Sequence, residues 1–286
     1  MNAPQPRPIT LHASGPGGDL ERRLRGAVRG ELLFDRASRG RYSTDASIYQ
    51  VEPVGVLVPA SHEDVRAAFD VCRELRIPML PRGAGSSQCG QTVGRALVVD
   101  HSKRLAGVVA FDREARTVTV EPGLVLDALN AWLKPHGLWF PVDVSTSAQC
   151  TLGGIAGNNS CGSRSIAFGN MVHNVLAIDA LLADGTEATF GNEAAMHGAP
   201  ARVRALVEGL RAIGERERDE IAGKVPRVLR RVGGYNLDVF HPQSERPYTD
   251  DGSVNLAHLL VGSEGTLAWM RALTLKLAPL PRHRTL

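Results

Sequence analysis

Residues 81–100 read "PRGAGSSQCGQTVGRALVVD", with glycines at 83, 85 and 90 and small polar side chains between two apolar segments. What flanks this loop decides the fold. Upstream, "VGVLVPAS" (residues 54–61) is a short apolar strand closed by Pro59. "SHEDVRAAFDVCREL" (61–75) opens with Ser61 at an N-cap and Asp64 three residues on. Val65, Ala68, Phe69, Cys72 and Leu75 then recur at helical spacing. "IPMLPRG" (77–83) returns to strand, and "ALVVD" (96–100) is the next strand. Strand, helix and strand in this order predict a parallel βαβ unit whose exit is the glycine loop.

Such a loop permits positive φ and a close approach of backbone to ligand. Successive N–H groups can converge there on an anion, with the Ser86 and Ser87 hydroxyls and the Arg82 charge nearby. Two phosphate motifs are excluded. Gln91 stands where a P-loop needs lysine. Gln88 stands where a dinucleotide fingerprint needs its third glycine, and a strand follows instead of a helix. The other reading of the loop is a set of plain turns.

A second glycine-rich stretch, "PVDVSTSAQCTLGGIAGNNSCGSRSIAFGN" (141–170), carries few charges and many amides and hydroxyls. It suits an uncharged, multiply hydrogen-bonding ring system. Two backbone-permissive segments predict a long ligand between two subdomains, phosphate at one and ring at the other.

The remaining pattern is α+β. "GVVAFDREARTVTVEPG" (107–123) and "NVLAIDALLADGTEATF" (174–190) read as hairpins, the second turning at Asp184-Gly185. "LVLDALNAWLKPHG" (124–137) is helical through Leu126, Leu129 and Leu133, with Gly137 as C-cap. Residues 201–217 form an amphipathic helix through Val203, Leu206, Val207, Leu210 and Ile213. "LAHLLVG" (256–262) and "ALTLKLAPL" (272–280) read as late strands. The expected fold is a small parallel βαβ subdomain followed by a larger one with a mainly antiparallel sheet flanked by helices. The expected boundaries are a disordered lead-in at 1–18, the small subdomain with an N-terminal helical segment at 19–102, and the larger subdomain at 103–281.

The 286 residues carry a net charge of only +3, which gives no electrostatic case for nucleic acid. The late arginines in "VRALVEGLRAIGERERDE" interleave with acids and read as a solvated helix face. No run approaches the roughly 18 apolar residues of a membrane span. The N-terminus lacks an apolar secretory core, so a cytoplasmic location is expected. Cys72, Cys89, Cys150 and Cys161 form no C-x-x-C pair, so no metal or cluster is expected on them. His101, His136, His173 and His258 are read as structural or exposed.

The chain resembles the FAD-binding domain of the vanillyl-alcohol-oxidase and p-cresol-methylhydroxylase (PCMH-type) superfamily. It is most similar there to FAD-linked D-2-hydroxyacid dehydrogenases of the D-lactate, glycolate and D-2-hydroxyglutarate type. "PRGAGSSQCGQ" matches the family's P-R-G-G-G-T-S-x-x-G-Q loop, with Ala84 and Ser86 as departures. The block from Pro141 to "LLADGT", then "GGYNLD" (233–238) and "LLVGSEGTLA" (259–268), match later family blocks in order. Together they cover about residues 43–281.

The resemblance implies non-covalent FAD between the subdomains. The pyrophosphate would meet Arg82, Gly83, Ala84, Gly85, Ser86 and Ser87, with Gly90 and Gln91 near the adjoining ribose or phosphate. Pro141, Asp143 and Ser145, with Gly153, Gly154, Gly157 and Asn158, would line the flavin and ribityl side. Val175 would approach the adenine, and Glu264 and Gly265 would close the pocket. The implied chemistry is hydride transfer from C2 of a D-2-hydroxyacid, such as D-lactate, to flavin N5. Family members bring the acid, a metal, the base and iron–sulfur clusters on later domains, which are expected to be missing here, so the chain alone is expected to be inactive. No catalytic residue is assigned, and the electron acceptor stays open. The competing readings are a non-catalytic FAD subunit working with a separate partner, and a flavin-free binding module.

Overall fold

The computed structural model describes residues 16–281. Helix α1 (Pro16–Ala27) precedes strand β1 (Glu31–Leu33), helix α2 (Arg36–Arg41) and strand β2 (Gly55–Val58). It begins inside the stretch expected as a lead-in, whose first fifteen residues lie outside the described ones. Helix α3 (His62–Leu75) follows, then β3 (Met79–Arg82) and β4 (Leu97–Asp100). Ser61 caps α3 as its sequence predicts, its Oγ accepting from Asp64 N. The carboxylate of Asp64 turns back to accept from the N–H groups of Arg29 and Ala60, both at 2.8 Å, which ties α3 to the segment before β1.

The four strands order as β1-β2-β4-β3. β2 and β3 are parallel, as expected, but they do not pair with each other: β4 lies between them and is parallel to both. The fully buried β4 takes the central position because "LVVD" is apolar on both faces. The glycine loop therefore leaves an edge strand and must arch over the sheet end to return through its middle.

The larger unit is a five-stranded, wholly antiparallel sheet in the order β5-β6-β10-β8-β9. Its strands are β5 (Val108–Asp112), β6 (Thr117–Val120), β8 (Val175–Leu182), β9 (Glu187–Phe190) and β10 (Ala268–Lys276). Both expected hairpins form, and Gly185 turns the second at φ +87°. Helix α4 (Leu126–Leu133) buries its three leucines, and Gly137 is left-handed at φ +73°. β7 (Leu138–Trp139) pairs with β11 (Ala278–Pro279). Helices α5 (Leu152–Asn158) and α6 (Ser165–Phe168) lie between β7 and β8; α7 (Ala201–Arg216), α8 (Arg218–Lys224) and α9 (Ala257–Leu260) lie between β9 and β10.

Three expectations change. The second backbone-permissive segment holds a regular helix, α5, because Thr151 caps it by accepting from Gly154 N. The "LAHLLVG" segment is a helical turn, α9, because Asn255 Oδ1 accepts from Ala257 N at 2.9 Å and stops an extended start. Ile213 sits off the buried stripe of α7 and is 42% exposed, whereas Val203 and Val207 are buried.

Two cores form, one for each sheet. They are not independent. Leu181 of β8 and Trp269 of β10 belong by sequence to the larger sheet, yet they pack in the core of the smaller unit.

Candidate functional site

The glycine loop closes on itself through Arg82. Its guanidinium donates to three main-chain carbonyls: Tyr42 and Thr92 at 3.2 Å, and Thr44 at 2.7 Å. Burial pushes this guanidinium down from the ordinary arginine range, against the pull of Asp100 and Asp45. The charge expected to serve a ligand is thus spent on holding the loop. Gly85 makes this possible. It is left-handed at φ +68°, and a Cβ there would fall 2.5 Å from the Arg82 Nη2 atom.

The loop's amides are not spent. Among the described residues, no backbone N–H of residues 84–89 donates a hydrogen bond. Six consecutive main-chain donors are thus left without a protein partner in a loop that is part exposed and part half-buried, open to water or to a ligand. They sit on a cleft of about 440 Å³ that residues 82–88 line.

The opposite wall is α5 and the segment before it. Its amides are committed: Leu152 N donates to Leu124 O at 2.9 Å and Gly153 N to Pro122 O at 2.8 Å. Its glycines serve contact instead. A Cβ on Gly153 would lie 2.7 Å from Pro122 Cβ, and one on Gly83 only 2.2 Å from Thr151 Oγ1. The two walls therefore touch where Gly83 meets the cap of α5.

A turn before β10 supplies the third side. Glu264 is left-handed at φ +52°, and its N–H donates to Gly157 O at 2.9 Å. Its Oε1 accepts from Asn158 Nδ2 at 2.9 Å and from Gln91 Nε2 at 3.2 Å, bridging loop and helix. Gly265 (φ +73°) lies so close to Pro81 that a Cβ would meet its Cγ at 2.9 Å.

The cleft is thus lined by Arg82, Gly83, Ala84, Gly85, Ser86 and Ser87, by Gln91 and Ser145, and by Gly153, Gly154, Gly157, Asn158, Glu264 and Gly265. Four expected residues lie outside the lining. Gly90 packs under Tyr49, whose Cδ2 would be 2.6 Å from a Cβ. Pro141 is buried, two residues after β7. Asp143 turns to accept from Ser163 Oγ at 2.8 Å and from Arg164 N at 3.1 Å. Val175 is buried, and its carbonyl accepts from His258 Nε2 at 3.1 Å.

Sequence reasoning missed Thr151, Pro122, His101 and Trp269, all of which line the cleft. Thr151 carried a signal as the N-cap type before "LGG"; the others reach the cleft through tertiary packing alone. His101 is neutral, because burial pushes it down to about 4. Cys89, Cys150 and Cys161 also line the cleft. Cys72 is buried on α3, where desolvation pushes its thiol up to about 12. Among the described residues, no group of three metal-ligating side chains converges, and no helix is long and apolar enough to cross a membrane.

A cleft with one wall of free amides and another of uncharged amide and hydroxyl groups fits a dinucleotide with a diphosphate waist. The comparisons with known proteins agree. The "FAD binding domain" family model matches residues 53–191. A D-2-hydroxyglutarate dehydrogenase of Pseudomonas putida is 32% identical over 275 residues, covering 93% of this chain and 27% of that protein. A probable mitochondrial D-lactate dehydrogenase of Danio rerio is 30% identical over 247 residues, covering 86% of this chain and 39% of the relative. The chain thus spans about a quarter to two fifths of the length of these relatives. The fold is shared with a solved alkyldihydroxyacetonephosphate synthase, at a TM-score of 0.65 and 18% identity, covering 93% of this chain and 44% of that one. The matched segment, residues 53–191, is similar to the FAD binding domain family and carries both the glycine loop and the α5 wall.

Proposed function

We propose that the cleft holds FAD without a covalent bond and that the chain is the flavin half of an enzyme oxidising a D-2-hydroxyacid, such as D-2-hydroxyglutarate or D-lactate. The observation that carries the reading is the run of unspent amides at residues 84–89. These would hold the diphosphate, with the Ser86 and Ser87 hydroxyls beside them. Ser145, Gly157 and Asn158 would lie toward the ring, and Glu264 would keep loop and helix together through Gln91 and Asn158. The division at residues 102 and 103 is part of the same proposal, with FAD across it. The names of the relatives support the substrate class.

When bound, the flavin supplies a hydride acceptor. The chain's own residues orient it and exclude water from one side. They offer little to the acid. Arg82, the one arginine in the lining, is committed to three carbonyls. The Nε2 of His101 accepts the Trp269 N–H at 2.6 Å. A carboxylate needs a cationic partner and its hydroxyl a base. In this reading, both come from outside the cleft lining. The same observation favours a second reading, an FAD-binding subunit that acts with a separate substrate-holding or electron-transfer partner.

The protein loaded with FAD and freed of excess should be yellow, and acid precipitation should release the colour to the supernatant. Flavin mass retained on the pellet would refute the non-covalent reading, and a colourless protein would refute the site. Mixed anaerobically with D-lactate, glycolate or D-2-hydroxyglutarate, the loaded chain should stay oxidised while dithionite bleaches it. Losing half of the roughly 7–11 kcal/mol that positioning supplies slows reduction by about 400- to 10,000-fold. Fast bleaching by any of the acids would place a complete active site inside this chain.

A further inference from the structure

Trp269 is the second residue of β10 in the larger sheet, yet its indole belongs to the buried cluster of the smaller unit, with Leu57, Val65, Ala68 and Leu97. Its Nε1–H donates to Nε2 of His101 at 2.6 Å, and the rings stack with centroids 5.6 Å apart. The backbone of His101 is committed elsewhere. Its N–H donates at 3.1 Å to the carbonyl of Arg82, the residue from which the glycine loop departs. One residue therefore grips the root of the loop with its backbone and the opposite sheet with its ring. Both side chains line the cleft.

The contact extends to the second wall. A Cβ on Gly123 would fall 2.0 Å from the His101 carbonyl oxygen, so the turn at 121–124 presses on the His101 backbone. Pro122 of that turn abuts Gly153 of α5, where a Cβ would lie 2.7 Å from the Pro122 ring. A shift of His101 would move both walls.

We infer that His101 is a positioning residue for the cofactor: through Trp269 it registers the glycine loop against the larger sheet, and so sets the spacing between the two walls. This rests on the reading of the cleft as an FAD site. The chemistry is specific to an acceptor. A buried indole N–H persists where an acceptor meets it and is costly where none does. Because Nε2 accepts, the proton of the neutral ring sits on Nδ1. Glutamine offers a carbonyl oxygen at similar reach, and leucine offers nothing.

The test measures FAD affinity by flavin fluorescence for the full chain and for His101→Leu, His101→Gln, Trp269→Phe and the Leu/Phe double variant. His101→Leu should weaken binding at least about tenfold, and His101→Gln should recover most of it. The double variant should bind no more weakly than the worse single one, because both remove the same interaction. Amide hydrogen exchange without FAD supplies a second readout. His101 N and Gly123 N, both hydrogen-bonded, should exchange faster in His101→Leu and Trp269→Phe but not in His101→Gln. If the unaltered chain binds no FAD, the FAD reading fails and the exchange pattern still decides the joint. Unchanged affinity in His101→Leu, or an equal loss in His101→Gln, would overturn the inference, as would additive losses in the double variant.

Discussion

The loop at residues 83–90 and helix α5 at Leu152–Asn158 each carry three glycines, and they face one another across one cleft. In the loop, Gly85 and Gly90 are left-handed, and the amides of 84–89 donate to nothing among the described residues. In α5, all three glycines are right-handed, and Gly153 N and Gly154 N are already spent on Pro122 O and Thr151 Oγ1. The first region uses glycine for backbone conformation and leaves donors for a ligand. The second uses it for room, at a helix-propensity cost of up to about 1 kcal/mol per residue. The lesson is that a glycine-rich segment becomes a binding loop only where its N–H groups have no other partner.

Acid acts most widely on the molecule, because two buried neutral imidazoles hold main-chain carbonyls or side chains of the two units. His101 roots the loop, and His258 holds the Val175 carbonyl beyond α5. Burial pushes each from 6.5 down to about 4. The folded rings thus have lower pKa values than the unfolded ones, and the unfolded chain takes up protons first as the pH falls. Stability is full above pH 6.5, declines between 6.5 and 4, and is flat with respect to these groups below that. The loss approaches about 3 kcal/mol for each ring. Denaturant melts across this window should show it, and His101→Gln should remove the part due to that ring. A stability flat from pH 7 to 4 would show that these imidazoles are solvated.

Gly85→Val separates the two regions. Valine at φ +68° is strained, and its Cβ displaces the Arg82 guanidinium from its carbonyls. Strain of about 1–3 kcal/mol adds to the loss of hydrogen bonds made by the half-buried guanidinium, roughly 1–3 kcal/mol. FAD affinity should fall at least about tenfold, alongside a lower melting temperature. The loss comes from collapse of the Arg82 clamp as well as from the side chain intruding on the loop. A folded variant with unchanged affinity would remove the loop from the site.

How much of this the sequence disclosed follows the range of the forces involved. The cap at Ser61, the leucine stripe of α4 and the turn at Asp184-Gly185 are local, and each was legible from spacing. The insertion of β4 between β2 and β3 was not, because strand order depends on which strand is apolar on both faces in the assembled sheet. The binding loop was legible as glycine and serine, but the fate of Arg82 depends on carbonyls of residues 42 and 44, about forty positions away. The helical state of residues 152–158 was hidden by its glycines, of which Gly153 has its reason in Pro122, about thirty residues earlier. His101 and Trp269, 168 positions apart, left no local trace.

Gly157→Ala carries the smallest effect and sharpens the comparison most. A Cβ on Gly157 would lie 3.8 Å from Glu264 Cα and 4.0 Å from Gly265 N, ordinary contact distances, and its φ is helical. Alanine should therefore stabilise α5 by up to about 1 kcal/mol, raising the melting temperature by a few degrees, roughly 2–4 °C in a chain of this size. Yet Gly157 lines the cleft, so the added methyl takes space beside the Glu264–Gly265 turn. If α5 uses glycine for room, stability should rise while FAD affinity falls by a few fold, measured on the same preparation by thermal melt and flavin titration. The two readouts would move in opposite directions here and together in Gly85→Val. A Gly157→Ala chain that loses both stability and affinity would mean that α5, like the loop, needs glycine for its backbone, and the distinction between the two walls would fall.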